Sequence, residues 1–123
     1  MNNPRITKKE RGLLKGAIRR VFSRSELRSA VIQASVVKHS DPSRPKVKTW
    51  CRCNICGKPE AKSYCVVDHI SPVVPVNTSF EEMSLDTVVD RMWCEKNNLQ
   101  VVDPVCHDKK TKEERQQRKR SKR

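Results

Sequence analysis

The run Cys53-Asn54-Ile55-Cys56-Gly57-Lys58 constrains this chain more than any other feature. Two cysteines in C-x-x-C spacing let both thiolates reach one tetrahedral ion. The glycine behind them tolerates the positive φ that turns backbone amides toward sulfur. The chain needs such a cross-link. Only 35% of its 123 residues are hydrophobic and 4% are aromatic, so its apolar core is thin. A domain of this size buries a small share of its surface and draws on metals or disulfides for stability. No apolar run reaches membrane-spanning length, and the N-terminus lacks a signal-peptide core. The expected location is therefore cytoplasmic, with reduced thiols. The six cysteines are read as metal ligands before disulfides.

Cys106 is the natural third ligand of that site. The fourth stays open. A second knuckle would place a cysteine three residues before Cys106, where this chain has Asp103, whose carboxylate can also bind zinc. Cys51, Cys65 and Cys94 are the rivals.

Charge divides the chain in three. Residues 1–52 carry a net +11, residues 53–107 a net −4 and residues 108–123 a net +6. Basic flanks suit a polyanion such as nucleic acid, and an acidic centre suits a divalent cation. Solvated flanks, or flanks that meet RNA or a membrane surface, are the plainer alternatives.

Local signals order the segments. Thr7-Lys8-Lys9-Glu10 reads as a capping box that opens a helix, with Leu13, Leu14, Ala17, Ile18, Val21 and Phe22 at helical spacing and a basic opposite face. Ser23-Arg24-Ser25-Glu26 reads as a second capping box, before Leu27, Ala30, Val31 and Ala34. This pair of amphipathic helices is either a packing scaffold or a nucleic-acid-gripping arm, one face for each role. Asp41-Pro42-Ser43-Arg44-Pro45 marks a linker. Strands are expected at Thr49–Cys53, Ser63–Val67 and Leu99–Val102, and a helix at Ser84–Trp93. A last helix opens at Cys106-His107 and fades into a tail from Thr111 onward, which is expected to be frayed. The expected organisation is a basic two-helix arm (1–40), a linker (41–48), a core (49–112) and a basic tail (113–123).

The core holds groups suited to phosphodiester hydrolysis, which needs an activated water and a cation on the phosphate oxygens. Asp68 and His69 are adjacent at a strand end, where successive side chains point to opposite sides. Asp68 can thus face a metal while His69 faces a water. His107 follows the zinc ligand Cys106, so one turn can serve two ions. Such an oxygen- and imidazole-based site suits Mg²⁺, Mn²⁺ or Ni²⁺. Neutral His69 is the basic form, so activity is expected to rise with pH near its titration, and Asn98 or a backbone carbonyl would fix its tautomer.

Taken together, Cys53-x-x-Cys56, Val67-Asp68-His69-Ile70-x-Pro72, Asn98-Leu99-Gln100 and Cys106-His107-x-x-Lys110-Thr111 resemble the HNH endonucleases, above all the small phage-borne and homing-type members. Four motifs stand in the family's order over residues 49–112, and the Asn98-x8-His107 spacing is the family's as well. The resemblance implies an α+β, ββα-metal core with a zinc knuckle. It implies His69 as general base, Asp68 and His107 on a catalytic Mg²⁺, Mn²⁺ or other divalent ion, and Asn98 as the residue that orients His69 or its loop. Asp103 departs from the family, most of whose zinc-bearing members have cysteine there. The implied substrate is double-stranded DNA, nicked or cut, in the cytoplasm of a host cell if the gene is a phage's.

Lys109, Lys110 and Lys112 are the expected phosphate contacts. His39 is read as a surface residue, Trp50 and Trp93 as core anchors, and Glu81, Glu82, Asp86 and Asp90 as a solvated helix face. The competing functions are a non-catalytic zinc-knuckle protein that binds nucleic acid, and a packaging accessory nuclease that cuts only with phage partner proteins.

Overall fold

The computed structural model describes residues 3–121. Two helices come first, α1 (Lys8–Ser23) and α2 (Glu26–Ala34). They are followed by short strands β1 (Val36–Val37), β2 (Trp50–Arg52), β3 (Pro59–Ala61) and β4 (Val66–His69). Helix α3 (Leu85–Met92), strand β5 (Leu99–Val102) and helix α4 (Pro104–Ser121) complete an α+β chain. No helix among the described residues is long and apolar enough to cross a membrane.

Helix starts obey local chemistry. Thr7 accepts from the Glu10 amide while Glu10 accepts from the Thr7 amide, closing the capping box that opens α1. The second cap is shifted from its expected place. Ser25, not Ser23, caps α2 by accepting from Arg28 N, because α1 runs on through Ser23, whose hydroxyl turns back to Arg20 O. Ser84 caps α3 through Thr87 N.

β1, β2 and β3 form one antiparallel sheet, with Cys51 between Val36 and Glu60. β1 and β3 carry too few alternating residues to announce themselves. β3 is the return leg of the knuckle loop, pinned by β2. β4 and β5 form a second antiparallel pair that sets Asp68 opposite Gln100 and His69 opposite Leu99. The strand expected at Ser63–Val67 therefore lies later. Lys62–Tyr64 is a single 3-10 turn, and pairing with β5 draws Asp68 and His69 into the strand.

Two small cores hold these pieces. Phe22, Phe80, Met83, Val88, Met92 and Leu99 make one; Ile32, Cys51, Cys65 and Val101 make the other, and Val31 and Val67 pack against both. Trp50 is buried, as expected, and His39 stands exposed with its ring edge-on to it. Trp93 packs edge-on to Phe22.

Two further parts differ from expectation. α4 is helical to Ser121, so the tail described here is not frayed. Arg118 donates to the carbonyls of Val74 (2.7 Å) and Pro75 (3.1 Å), and Ser121 Oγ donates to Val76 O (3.1 Å). These bonds dock a segment with no apolar residues to bury. In α1, the expected apolar stripe does not face the body. Leu13 is 64% exposed and Val21 62%, and Leu14 is exposed as well, while Phe22 and Ile18 pack inward. Arg11, at 7% exposure, is buried on that inner side.

Candidate metal centre and the adjoining cationic cleft

The ligand atoms of Cys53, Cys56, Asp103 and Cys106 all lie within 4.8 Å of one another. Tetrahedral sulfurs at ~2.3 Å from zinc stand about 3.8 Å apart, so this cluster has the dimensions to hold such an ion. Local folding explains the convergence. Gly57 takes φ 77°, and its amide donates to Cys53 O (2.9 Å) while Cys53 N donates to Lys58 O (2.9 Å), closing the knuckle. A residue with a Cβ is strained at that φ. Asp103 stands at the start of α4. Its Oδ1 accepts from Cys106 N (2.7 Å) as a helix cap, and Oδ2 accepts from Cys56 Sγ (3.1 Å). One carboxylate thus ends β5, starts α4 and faces three thiols.

The electrostatics of the cluster match its donors. Burial opposes ionisation of Cys53, but amides of Cys56, Asp103 and Ile55 outweigh it and lower the thiol's pKa. Cys106 is pushed up to about 12, by burial first and then by Cys53, Asp103 and Cys56. The amide of Cys106 lowers the Asp103 carboxyl, against its partial burial. Four adjacent acids resist ionising together, and a cation is what lets them do so. Of the rival ligands, Cys51 and Cys65 belong to the core, where burial pushes Cys65 up to about 12, and Cys94 lies beside Asn98. None of the three joins the cluster.

A polar chain runs from the knuckle into β4. Asn54 Nδ2 donates to Gln100 Oε1 (2.9 Å), and Gln100 Nε2 donates to Asp68 Oδ2 (3.0 Å). Lys110 Nζ reaches the same oxygen (3.1 Å), as well as Glu114 (2.6 Å) and His69 O (3.0 Å). Burial works to lower the Lys110 pKa, but Glu114 and Asp68 outweigh it and hold it above the ordinary lysine value. Gln100, 8% exposed, was a motif residue without a role in the sequence. Its signal was a lone amide inside the apolar run Leu99–Val102.

His69 projects the other way. Its Nε2 lies 2.8 Å from Met92 O, and its ring meets Phe22 at 5.2 Å between centroids. A carbonyl only accepts, so Nε2 carries the proton and a neutral ring keeps its lone pair on Nδ1. This partner is a backbone atom on α3, which no residue pattern could announce. Asn98 binds the loop after β4 rather than the imidazole: Oδ1 accepts from Ser71 N (2.8 Å) and Nδ2 donates to Ser71 O (3.3 Å).

Asp68 and His69 both line a cleft of about 880 Å³ between α1, the loop at residues 72–82 and α4. Its walls also carry Lys8, Arg11, Lys15, Arg19 and Arg118. His107 does not line it, and among the described residues its ring makes no hydrogen bond. Asp68, His69 and His107 form no cluster of three metal-binding donors among the described residues. Lys112 is paired with Asp108 (3.1 Å), while Lys109 is exposed. Asp86 and Asp90 are exposed on α3, and Glu82 caps the turn at Ser79.

Comparison with known proteins finds no matching family model, no similar curated protein and no similar solved structure. The function is therefore argued from the site itself.

Proposed function

We propose that this chain is a metal-dependent endonuclease that hydrolyses phosphodiester bonds of double-stranded DNA, with β4, β5 and α4 as an HNH-type ββα-metal core. The observation that carries the reading is His69. It lies on a cation-walled cleft with Nε2 tied to the Met92 carbonyl, an arrangement that leaves Nδ1 basic. Nδ1 takes a proton from water, the water oxygen bonds to phosphorus, and the P–O bond to the leaving sugar oxygen breaks. That oxygen then takes up a proton from solvent. Asn98 holds the loop that follows His69 through both bonds to Ser71.

On this reading Asp68 and His107 would hold a catalytic Mg²⁺, Mn²⁺ or similar ion, which would neutralise charge at the phosphate, although His107 stands outside the wall of the cleft that Asp68 lines. Asp68 Oδ1 accepts no hydrogen bond among the described residues, and Lys110 holds Oδ2. Zinc is the ion proposed for the Cys53, Cys56, Asp103 and Cys106 cluster. Its role is structural, because all four donors come from the protein and leave no open position.

The test is plasmid cleavage with Mg²⁺ or Mn²⁺. His69→Ala is expected to lose about 10²–10⁴-fold in rate with its melting temperature little changed. Full activity in His69→Ala removes the proposed base. One observation favours a second reading, a non-catalytic nucleic-acid-binding module: Asp68 already has an ammonium partner in Lys110. Salt-sensitive DNA binding with no cleavage under any divalent ion supports that reading.

A further inference from the structure

We propose that the cleft walled by α1 is a binding site for the sugar–phosphate backbone of nucleic acid, anchored by the guanidinium of Arg11. The choice of nucleic acid as the anion's source rests on the reading above; the anion site itself rests on α1.

Arg11 is the decisive residue. It is 7% exposed and lines both the large cleft and a smaller adjoining cavity. Among the described residues its side chain makes no hydrogen bond and no ion pair. Its guanidinium nitrogens are not among the enclosed polar atoms, so this permanent, unpaired charge opens into the cleft, where an anion can meet it.

The orientation of α1 makes the same point independently. Local spacing offered a stripe of Leu13, Leu14, Ala17, Ile18, Val21 and Phe22, of which Ile18 and Phe22 pack inward while Leu13, Leu14 and Val21 stay exposed. The inner face that carries Phe22 also turns Arg11 and Lys15 to the cleft. Burial and Arg19 depress the Lys15 pKa, with Glu81 opposing them, so cations crowd this wall. The acids of the cleft have other tasks: Asp68 and Glu114 hold Lys110, Glu82 caps Ser79, and Glu81 faces Lys15.

The ligand class follows from shape and charge. A fork of guanidinium donors flanked by ammonium groups matches phosphate oxygens. A volume of about 880 Å³ exceeds what one inorganic phosphate fills and suits a stretch of backbone. Because His69 lies in the same cleft, a backbone held there passes the imidazole.

The experiment uses the full, zinc-loaded chain without Mg²⁺ or Mn²⁺, so that binding is read apart from cleavage. Affinity for a short labelled DNA duplex is measured against salt for the wild type, Arg11→Met and Arg11→Lys, beside melting temperatures in chloride and in phosphate buffers of equal ionic strength. Arg11→Met is expected to bind about tenfold more weakly, with a log–log salt slope smaller by about 1. Arg11→Lys should fall between, having charge without the fork. In chloride alone Arg11→Met should melt no lower than wild type, since the guanidinium it removes has no partner among the described residues. A lower melting temperature there means that Arg11 is already satisfied within the protein and overturns the proposal. Unchanged duplex affinity also overturns it. Arg11-dependent protection by inorganic phosphate with no Arg11 effect on DNA assigns the site to small anions instead. Absence of cleavage by the wild type with Mg²⁺ leaves an Arg11-dependent DNA affinity standing, so the two readings fail separately.

Discussion

The knuckle and the cleft treat charge in opposite ways. At the knuckle, three thiols and a carboxylate converge, and backbone amides of Cys56, Asp103 and Ile55 support them. Every group there has a partner within the protein. In the cleft, the Arg11 guanidinium has no hydrogen bond or ion pair among the described residues, and Lys15 sits among other cations. A site that closes on itself serves stability, because its four donors could hold one ion. As proposed above, the unpaired guanidinium of the cleft takes its anion from outside. The chain Asn54–Gln100–Asp68 joins the two, so the order of the knuckle is passed to the strand that presents His69.

Breaking the knuckle should have the largest effect. Cys53→Ser is expected to release the metal and to destabilise the chain by ~5 kcal/mol or more, because ion binding and folding are coupled. That is comparable to the whole stability of an ordinary small domain. Cys51→Ala, a control in the core beside the knuckle, should leave the metal content unchanged. Metal stoichiometry and thermal melts read both, and an unchanged metal content in Cys53→Ser sinks the assignment.

A smaller effect sharpens the cleft. Arg118→Gln removes bonds to the Val74 and Pro75 carbonyls and should cost about 1–3 kcal/mol. Hydrogen exchange in the last turns of α4 and in residues 72–82 should rise together, with the knuckle unaffected. If the two segments exchange independently, the docking of α4 does not shape the cleft.

The smallest effect tests the outer face of α1. Leu13→Glu should change stability by less than about 0.5 kcal/mol, because Leu13 is 64% exposed. A loss of ~2 kcal/mol or more in a melt would mean that the apolar stripe packs after all and that α1 is rotated from the orientation seen here.

Legibility in the sequence differed between these regions. The knuckle was readable because its signal is local: C-x-x-C-G spacing and a glycine at positive φ lie within six residues. Cys106 was also readable, but the choice of Asp103 over Cys51, Cys65 and Cys94 was not. It depended on where β5 ends and α4 starts relative to the loop at Cys53–Lys58. Strand β5 and the caps at Thr7 and Ser84 stood where residue type put them. The partner of His69 was hidden, since Met92 contributes a carbonyl and any residue has one. The docked tail was hidden for the same reason, as Arg118 binds carbonyls rather than side chains.

Residue pattern by itself determined the ligand-bearing loop, the start of α1, the strand Leu99–Val102 and the basic character of both flanks. Only the tertiary structure decided which side of α1 turns inward, which carboxylate completes the metal cluster, and what holds Asp68 and His69. Periodicity tells which residues share a helix face, but the surface that face meets is assembled from distant segments. Here that surface includes polar backbone of the 72–82 loop and the side chains of β4, and it receives Arg11 and Lys15 in place of Leu13 and Val21.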